Sequence, residues 1–126
     1  MDLKATFDVE SWEEQPFAEA PGTAKLTQAT VTKKYDGDVS GTSDTVWLMA
    51  YADEQNATFV GIERITGSVD GQDGTLVVQH VGTYAGGAAK AELTVVEGAG
   101  TGDLAEVTGT GELLADPSGK VTLHLR

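Results

Sequence analysis

Phe59-Val60-Gly61-Ile62-Glu63-Arg64-Ile65, followed by Leu76-Val77-Val78-Gln79-His80-Val81-Gly82, is the pair of stretches that decides the fold. Both have the period of two and the β-branched composition that are typical of strands. The turn residues Asp70-Gly71-Gln72-Asp73 lie between them and predict an antiparallel hairpin. If Asp70 pairs with Asp73, Glu63 lies directly opposite His80. Because the rest of that face is apolar or small, we expect the two side chains to be buried together, either as a structural pair or as the polar centre of a ligand site.

The same period of two continues along almost the whole chain. It predicts eight strands, over residues 3–12, 25–35, 39–52, 57–69, 74–84, 88–97, 104–114 and 120–126. Most of the connections are tight turns, and three longer ones cover residues 13–23, 98–103 and 115–119. Nothing in the composition indicates a linker, so residues 1–126 are predicted to form a single domain.

Short connections between successive strands predict an up-and-down antiparallel order. An open sheet of eight strands would leave two unpaired edges, and closure into a barrel removes them. Glycines within the strands favour the sharp bending that closure needs. These glycines are Gly41, Gly61, Gly67, Gly82, Gly109 and Gly111. The predicted fold is therefore all-β, an eight-stranded antiparallel up-and-down β-barrel of lipocalin-like appearance, with a two-sheet sandwich as the alternative.

Composition excludes several classes of function. The net charge of −12, from 20 acidic and 8 basic residues, argues against binding to nucleic acid or to an anionic membrane surface. The absence of cysteine removes disulfides and thiolate metal sites, and the two histidines do not have the spacing of metal ligands, so no metal or cofactor is predicted. Without a signal sequence or a long apolar run, a cytoplasmic protein is predicted.

Two resemblances support the barrel. Residues 98–111, GAGTGDLAEVTGTG, resemble the glycine-threonine-glycine segment of allene oxide cyclase and dirigent barrels. Nearly the whole chain resembles a small bacterial barrel family of unknown function, domain of unknown function 3224. The matching stretches are Thr6–Val9 with Ser11-Trp12, Leu48–Tyr51, Phe59–Arg64 and Val78–Tyr84. The resemblance implies an allene-oxide-cyclase-like barrel, whose better-known relatives guide intramolecular rearrangements, but it identifies no catalytic residue in this chain.

Glu63 and His80 are the predicted catalytic pair, because a carboxylate can fix the tautomer of an imidazole and raise the basicity of its other nitrogen. The predicted pocket residues are Phe7, Trp47, Tyr51, Phe59, Tyr84, Arg64 and Gln79. Trp47 and Tyr51 face inward only if the turn at Glu54-Gln55 carries a bulge; otherwise Leu48 and Ala50 do. Arg64 and Gln79 belong to the opposite row and line a pocket only if the register slips by one residue.

Residues 13–23 form the longest predicted connection, and Phe17 lies in it. An apolar residue there is expected to cover the barrel mouth, as a plug or as a lid.

Two functions remain open from the sequence. The first is a barrel that binds a small apolar molecule, with cofactor-independent isomerase, cyclase or proton-transfer chemistry at Glu63 and His80 as its enzymatic form. The second is a non-catalytic structural or interaction protein with a filled interior. Its outer row, with Val60, Ile62, Val77 and Val81, would then serve as an oligomer face.

Overall fold

The computed structural model describes residues 1–116 and 118–126. Its strands are β1 (Asp2–Ala18), β2 (Lys25–Gly37), β3 (Val39–Asp53), β4 (Asn56–Val69), β5 (Gln72–Ala85), β6 (Ala88–Val95), β7 (Thr101–Gly102), β8 (Gly109–Ala115) and β9 (Gly119–Leu125). No helix with the length and apolar character of a membrane span occurs among the described residues.

Eight of these strands close into a ring. Each pairs antiparallel with its neighbours in the order β1, β2, β3, β4, β5, β6, β8, β9, and β9 returns to pair with β1. The ninth, β7, is two residues long and pairs with β5. The predicted eight-stranded up-and-down barrel is therefore confirmed, because continuous pairing around the ring is what distinguishes a barrel from a sandwich.

The ends of two strands differ from the prediction. β1 pairs with β2 as far as Ala18, so the predicted connection over 13–23 is mostly strand, and only residues 19–24 join the two. The predicted strand over 104–114 begins at Gly109. Its first residues instead turn sharply after Gly102, whose φ is +64°, and this turn buries Leu104. Of the predicted 115–119 connection, Pro117 lies outside the described residues.

The interior is filled by the inward row of each strand, as the period of two requires. β4 shows the pattern clearly: Phe59, Glu63 and Ile65 are at most 1% exposed, while Val60 and Ile62 between them are about half exposed (48% and 49%). Gly61 also points inward, and a Cβ there would lie 2.5 Å from Trp47 Cδ1. Glycine at this position lets the Trp47 ring pack flat against the wall, directly beside the polar centre.

Candidate functional site

Glu63 and His80 meet inside the barrel, although not in the predicted register. Asp70 and Gly71 both have positive φ, 52° and 76°, and form a two-residue turn, so Val69 pairs with Gln72. This is the turn that Asp-Gly prefers, and it shifts the pairing by two residues from the prediction. Glu63 consequently pairs with Val78, and His80 pairs with Gly61. An even shift keeps both side chains on the same face.

The two side chains are hydrogen-bonded as diagonal neighbours. His80 Nε2 lies 2.9 Å from Glu63 Oε1, and both side chains have 0% exposure. The prediction that this carboxylate and imidazole are buried together inside the barrel thus agrees with the geometry, and only their direct pairing was wrong.

Glu63 is surrounded by donors that the sequence reasoning missed. The Tyr35 and Ser43 hydroxyls each donate to Oε2 at 2.6 Å. The Lys33 ammonium lies 3.4 Å from both carboxylate oxygens. We call Lys33, Tyr35, Ser43, Glu63 and His80 the polar cluster. All five are buried, so every donor that the carboxylate needs comes from the protein itself.

The tautomer of His80 follows from its second partner. Trp47 Nε1 lies 3.2 Å from His80 Nδ1, and an indole nitrogen can only donate. Nδ1 must therefore be the acceptor, which places the proton of the neutral ring on Nε2, where it is donated to Glu63. Both ring nitrogens are thereby occupied, and neither is left to take a proton from a substrate.

The charges of the cluster follow from burial and pairing. Burial opposes ionisation of Glu63, but the Lys33 ammonium and the hydrogen bond from His80 outweigh it and hold the Glu63 pKa below its usual range. Burial lowers the pKa of His80 despite the nearby carboxylate. Burial also lowers the pKa of Lys33, an effect that Glu63 opposes. The cluster therefore consists of one carboxylate paired with one ammonium, a neutral imidazole and two hydroxyls.

Aromatic rings close off this centre. Trp47 and Phe59 stack with centroids 4.1 Å apart, and the Lys33 ammonium lies 4.5 Å from the Phe7 ring centroid. Trp12, which is 42% exposed, meets Trp47 edge-on at 5.6 Å. Phe7, Trp47 and Phe59 thus lie in the interior as predicted, but they pack against the polar cluster and one another.

Tyr51 and Tyr84 lie farther toward one end of the barrel and are half-buried. A bulge between Tyr51 and Asp53 accompanies the inward direction of Trp47 and Tyr51, so of the two alternatives left open by the sequence, the one with the bulge is observed. The Tyr51 hydroxyl donates to Glu14, which also accepts from Thr27. Burial and this carboxylate raise the pKa of Tyr51 to about 12, so it stays protonated.

Three candidates from the sequence lie elsewhere. Arg64 points outward and pairs with Asp44 at 3.2 Å, with its side chain 59% exposed. Gln79 is also exposed on the outer face, so the one-residue slip that would bring these two inside does not occur. Phe17 is a strand residue of β1 and 55% exposed, and it does not plug the barrel mouth.

Concave regions on the described part of the chain include five that are lined by residues outside the polar cluster. None of these five is lined by Lys33, Tyr35, Ser43, Glu63 or His80. One is a groove of about 710 Å³ on the outer wall of β5, β6, β8 and β9. Within the described residues, no group of three or more carboxylate or imidazole side chains is placed to hold a metal ion.

One signal in the sequence would have found the missed residues. On β2 the inward row reads Ala29, Val31, Lys33, Tyr35, so a lysine interrupts an otherwise apolar row. Lysine is almost never fully buried unless it is paired. A lysine in such a row therefore indicates a buried carboxylate elsewhere, and Glu63 is the acid that interrupts the apolar row of β4.

Comparison with known proteins places the chain in a family. Among solved structures, a protein of unknown function from the DUF3224 family of Shewanella oneidensis MR-1 superposes with a TM-score of 0.81 at 24% identity, over 100% of this chain and 96% of that one. At that identity the likeness shows the fold alone. No curated protein matches the chain. The family model described as "Protein of unknown function (DUF3224)" matches residues 3–126. The chain therefore belongs to the DUF3224 family, and the Shewanella protein of that family has the same fold.

Proposed function

We propose that this protein is a non-catalytic interaction protein, in which the barrel is a rigid support and its outer wall is the binding surface. The observation that carries the proposal is the saturation of the polar cluster. Glu63 accepts from four protein groups, and both nitrogens of His80 are engaged. A general base must reach the proton that it removes, and neither group can do so without breaking these contacts.

Burial supports the same interpretation. Lys33, Glu63 and His80 are at most 1% exposed, and none of the five concave regions described above is lined by any of them. Saturated polar networks in a core fix one arrangement of the strands that supply them. Here β2, β3, β4 and β5 each contribute a member, so the cluster fixes the register of half the ring.

The outer wall, unlike the filled interior, presents apolar side chains that a partner could contact. Five of the large apolar side chains that remain exposed lie on β3, β4 and β5. Apolar side chains that form one exposed patch often mark an interaction surface.

The test compares variants of the two regions. His80→Ala and Glu63→Gln should lower stability and leave the binding of a fluorescent apolar dye unchanged. At a dilution where the chain is monomeric, Val60→Glu should abolish dye binding and leave stability within about 0.5 kcal/mol of wild type, because the side chain is on the surface of the single chain. Dye binding that survives Val60→Glu but is lost in the folded His80→Ala variant would overturn the proposal.

A small apolar ligand inside the barrel is the second candidate function. It is favoured by Thr45, which pairs with Glu63 and is 1% exposed, and whose hydroxyl has no hydrogen-bond partner among the described residues. A ligand hydroxyl or carbonyl at that position would satisfy it. Quenching of Trp47 fluorescence by apolar alcohols or ketones, saturable in wild type and weakened in Thr45→Val, would support this function; no saturable quenching would exclude it.

A further inference from the structure

The outer wall carries an apolar patch, which we define as Val46, Leu48, Val60, Ile62 and Val81. Their exposed fractions lie between 39% and 51%. Val46 pairs with Ile62, and Leu48, Val60 and Val81 follow one another across three strands. The patch is therefore continuous rather than scattered, which is what distinguishes an interface from ordinary surface leucines and valines.

Beside the patch lies a groove, which we call the outer groove. Its walls include Val81, Thr83, Lys90, Glu92, Glu112 and Leu114, and its volume is about 710 Å³. Its floor crosses Gly82 and Ala91, which pair with each other and point inward with little or no side chain. Small inward residues let this part of the wall sit closer to the barrel axis, so the outer surface is concave here. Val81 belongs to both the patch and the groove.

Charge distinguishes this wall from the rest of the surface. The chain carries −12 overall, which keeps most faces of two copies apart. This wall carries three acidic and three basic residues. Four of them line the outer groove, namely Lys90, Glu92, Glu112 and Lys120, and the other two are the Asp44–Arg64 pair at the end of the patch. Lys90, Lys120 and Glu92 have no ion-pair partner within the described part of the chain. Two copies can therefore approach through this neutral wall without the repulsion that their net charge otherwise produces.

We propose that the occupant of the outer groove is the apolar patch of a second copy of this chain. The inference rests on the proposed function and names its partner. A two-fold axis along β5 through Val81 places β4 of one copy over β6 of the other. Since Val81 pairs with Val60 on one side and with Glu92 on the other, each Val60 then lies over Glu92 on the wall of the partner's groove, and the two Val81 side chains meet at the axis. The arrangement is isologous and closes as a dimer, because the same surface serves both copies.

Because Val81 lies on the proposed two-fold axis, a charge introduced at this residue tests the dimer. In Val81→Glu two carboxylates face each other, and in Val81→Lys two ammonium groups do, so each variant should self-associate roughly 100-fold more weakly than wild type. Mixed in equal amounts, the two variants should form a heterodimer, because opposite charges then meet. The control is Val9→Glu, an equally exposed valine (49% against 51%) on β1 outside this wall, which should associate like wild type.

Light scattering after size-exclusion chromatography measures the molecular mass of each protein in solution. Wild type and Val9→Glu should have twice the chain mass of 13.1 kDa, and each Val81 variant should have the chain mass alone. Circular dichroism confirms folding of each variant. A monomeric wild type at millimolar concentration, or a mixture of the two Val81 variants that stays monomeric, would overturn the second-copy proposal. If Val60→Glu still abolishes apolar dye binding in such a monomer, the interaction function itself stands; dye binding that depends on His80 instead overturns both.

Discussion

Replacing Glu63 by glutamine removes the one negative charge that offsets Lys33 inside the barrel. The side chain keeps its size, so the perturbation is electrostatic rather than a cavity. Lys33 is 1% exposed and makes its only side-chain hydrogen bond among the described residues to Glu63. The variant therefore leaves a buried ammonium beside the Phe7 and Trp47 rings, with a neutral amide in place of the carboxylate that offsets its charge.

The magnitude follows from this geometry. Removing one partner of a buried ion pair costs about 3–5 kcal/mol because the other charge stays buried and uncompensated. Lys33→Met should cost less, about 1.5–3 kcal/mol, since Glu63 keeps its hydrogen bonds from Tyr35, Ser43 and His80. In the double variant neither charge is present, so the two losses should not add, and the coupling should approach about 3 kcal/mol.

Urea unfolding at pH 7, followed by tryptophan fluorescence and by circular dichroism, measures the four free energies of the cycle. The double variant keeps the test informative if Glu63→Gln alone does not fold. Conversely, a Glu63→Gln protein within 1 kcal/mol of wild type, or single-variant losses that simply add, would refute the claim that these charges depend on each other.

Three further predictions follow from single positions. Gly61→Ala should destabilise the barrel by at least about 2 kcal/mol in urea unfolding, because the added Cβ would overlap the Val46 carbonyl oxygen and lie 2.5 Å from the Trp47 ring. An unchanged midpoint would contradict this packing. His124 lies between two carboxylates that raise its pKa, so its contribution to stability is complete below pH 6.5 and is lost as the pH rises through the folded value. The free-energy difference between wild type and His124→Gln should therefore be largest in mild acid and shrink toward alkaline pH, and a pH-independent difference would disprove the linkage. Tyr51 should ionise near pH 12 in an ultraviolet titration, and Tyr51→Phe should remove that step. If Tyr51→Phe instead removes a step at the ordinary pKa of tyrosine, the hydrogen bond to Glu14 does not hold the Tyr51 proton.

Much of the fold could be predicted because it depends on local alternation. The period of two on β4 and β5 separates inner from outer residues, and this assignment is independent of the exact turn as long as the shift is even. The register itself depended on which residues of Asp70-Gly71-Gln72-Asp73 take positive φ, and the structure assigns this to Asp70 and Gly71. The preference of Asp-Gly for the two central positions of a tight turn would have indicated the observed register, but the prediction placed Gly71-Gln72 there instead.

The candidate site was harder to predict because its members come from four strands. Glu63 and His80 belong to one hairpin, so their proximity followed from local pairing. Lys33 pairs with Ser43 on β3, and Ser43 pairs with Ile65 on β4, so the approach of both side chains to Glu63 depends on the registers of two further strand pairs. The hydrogen bond that Trp47 donates to His80 could not be predicted from the sequence either, because it depends on a bulge at the end of β3 and on the direction of the indole N–H.

Nitrogen-15 NMR of the histidine side chains over pH 5–8 tests the central claim most directly, because the chain has only two histidines. If the interior is a sealed polar core, His80 keeps its proton on Nε2 across the whole range, and only the surface histidine, His124, titrates. A His80 ring that takes up a second proton near pH 6.5, or that changes tautomer when an apolar compound is added, would show that the barrel centre is open to solvent or ligand.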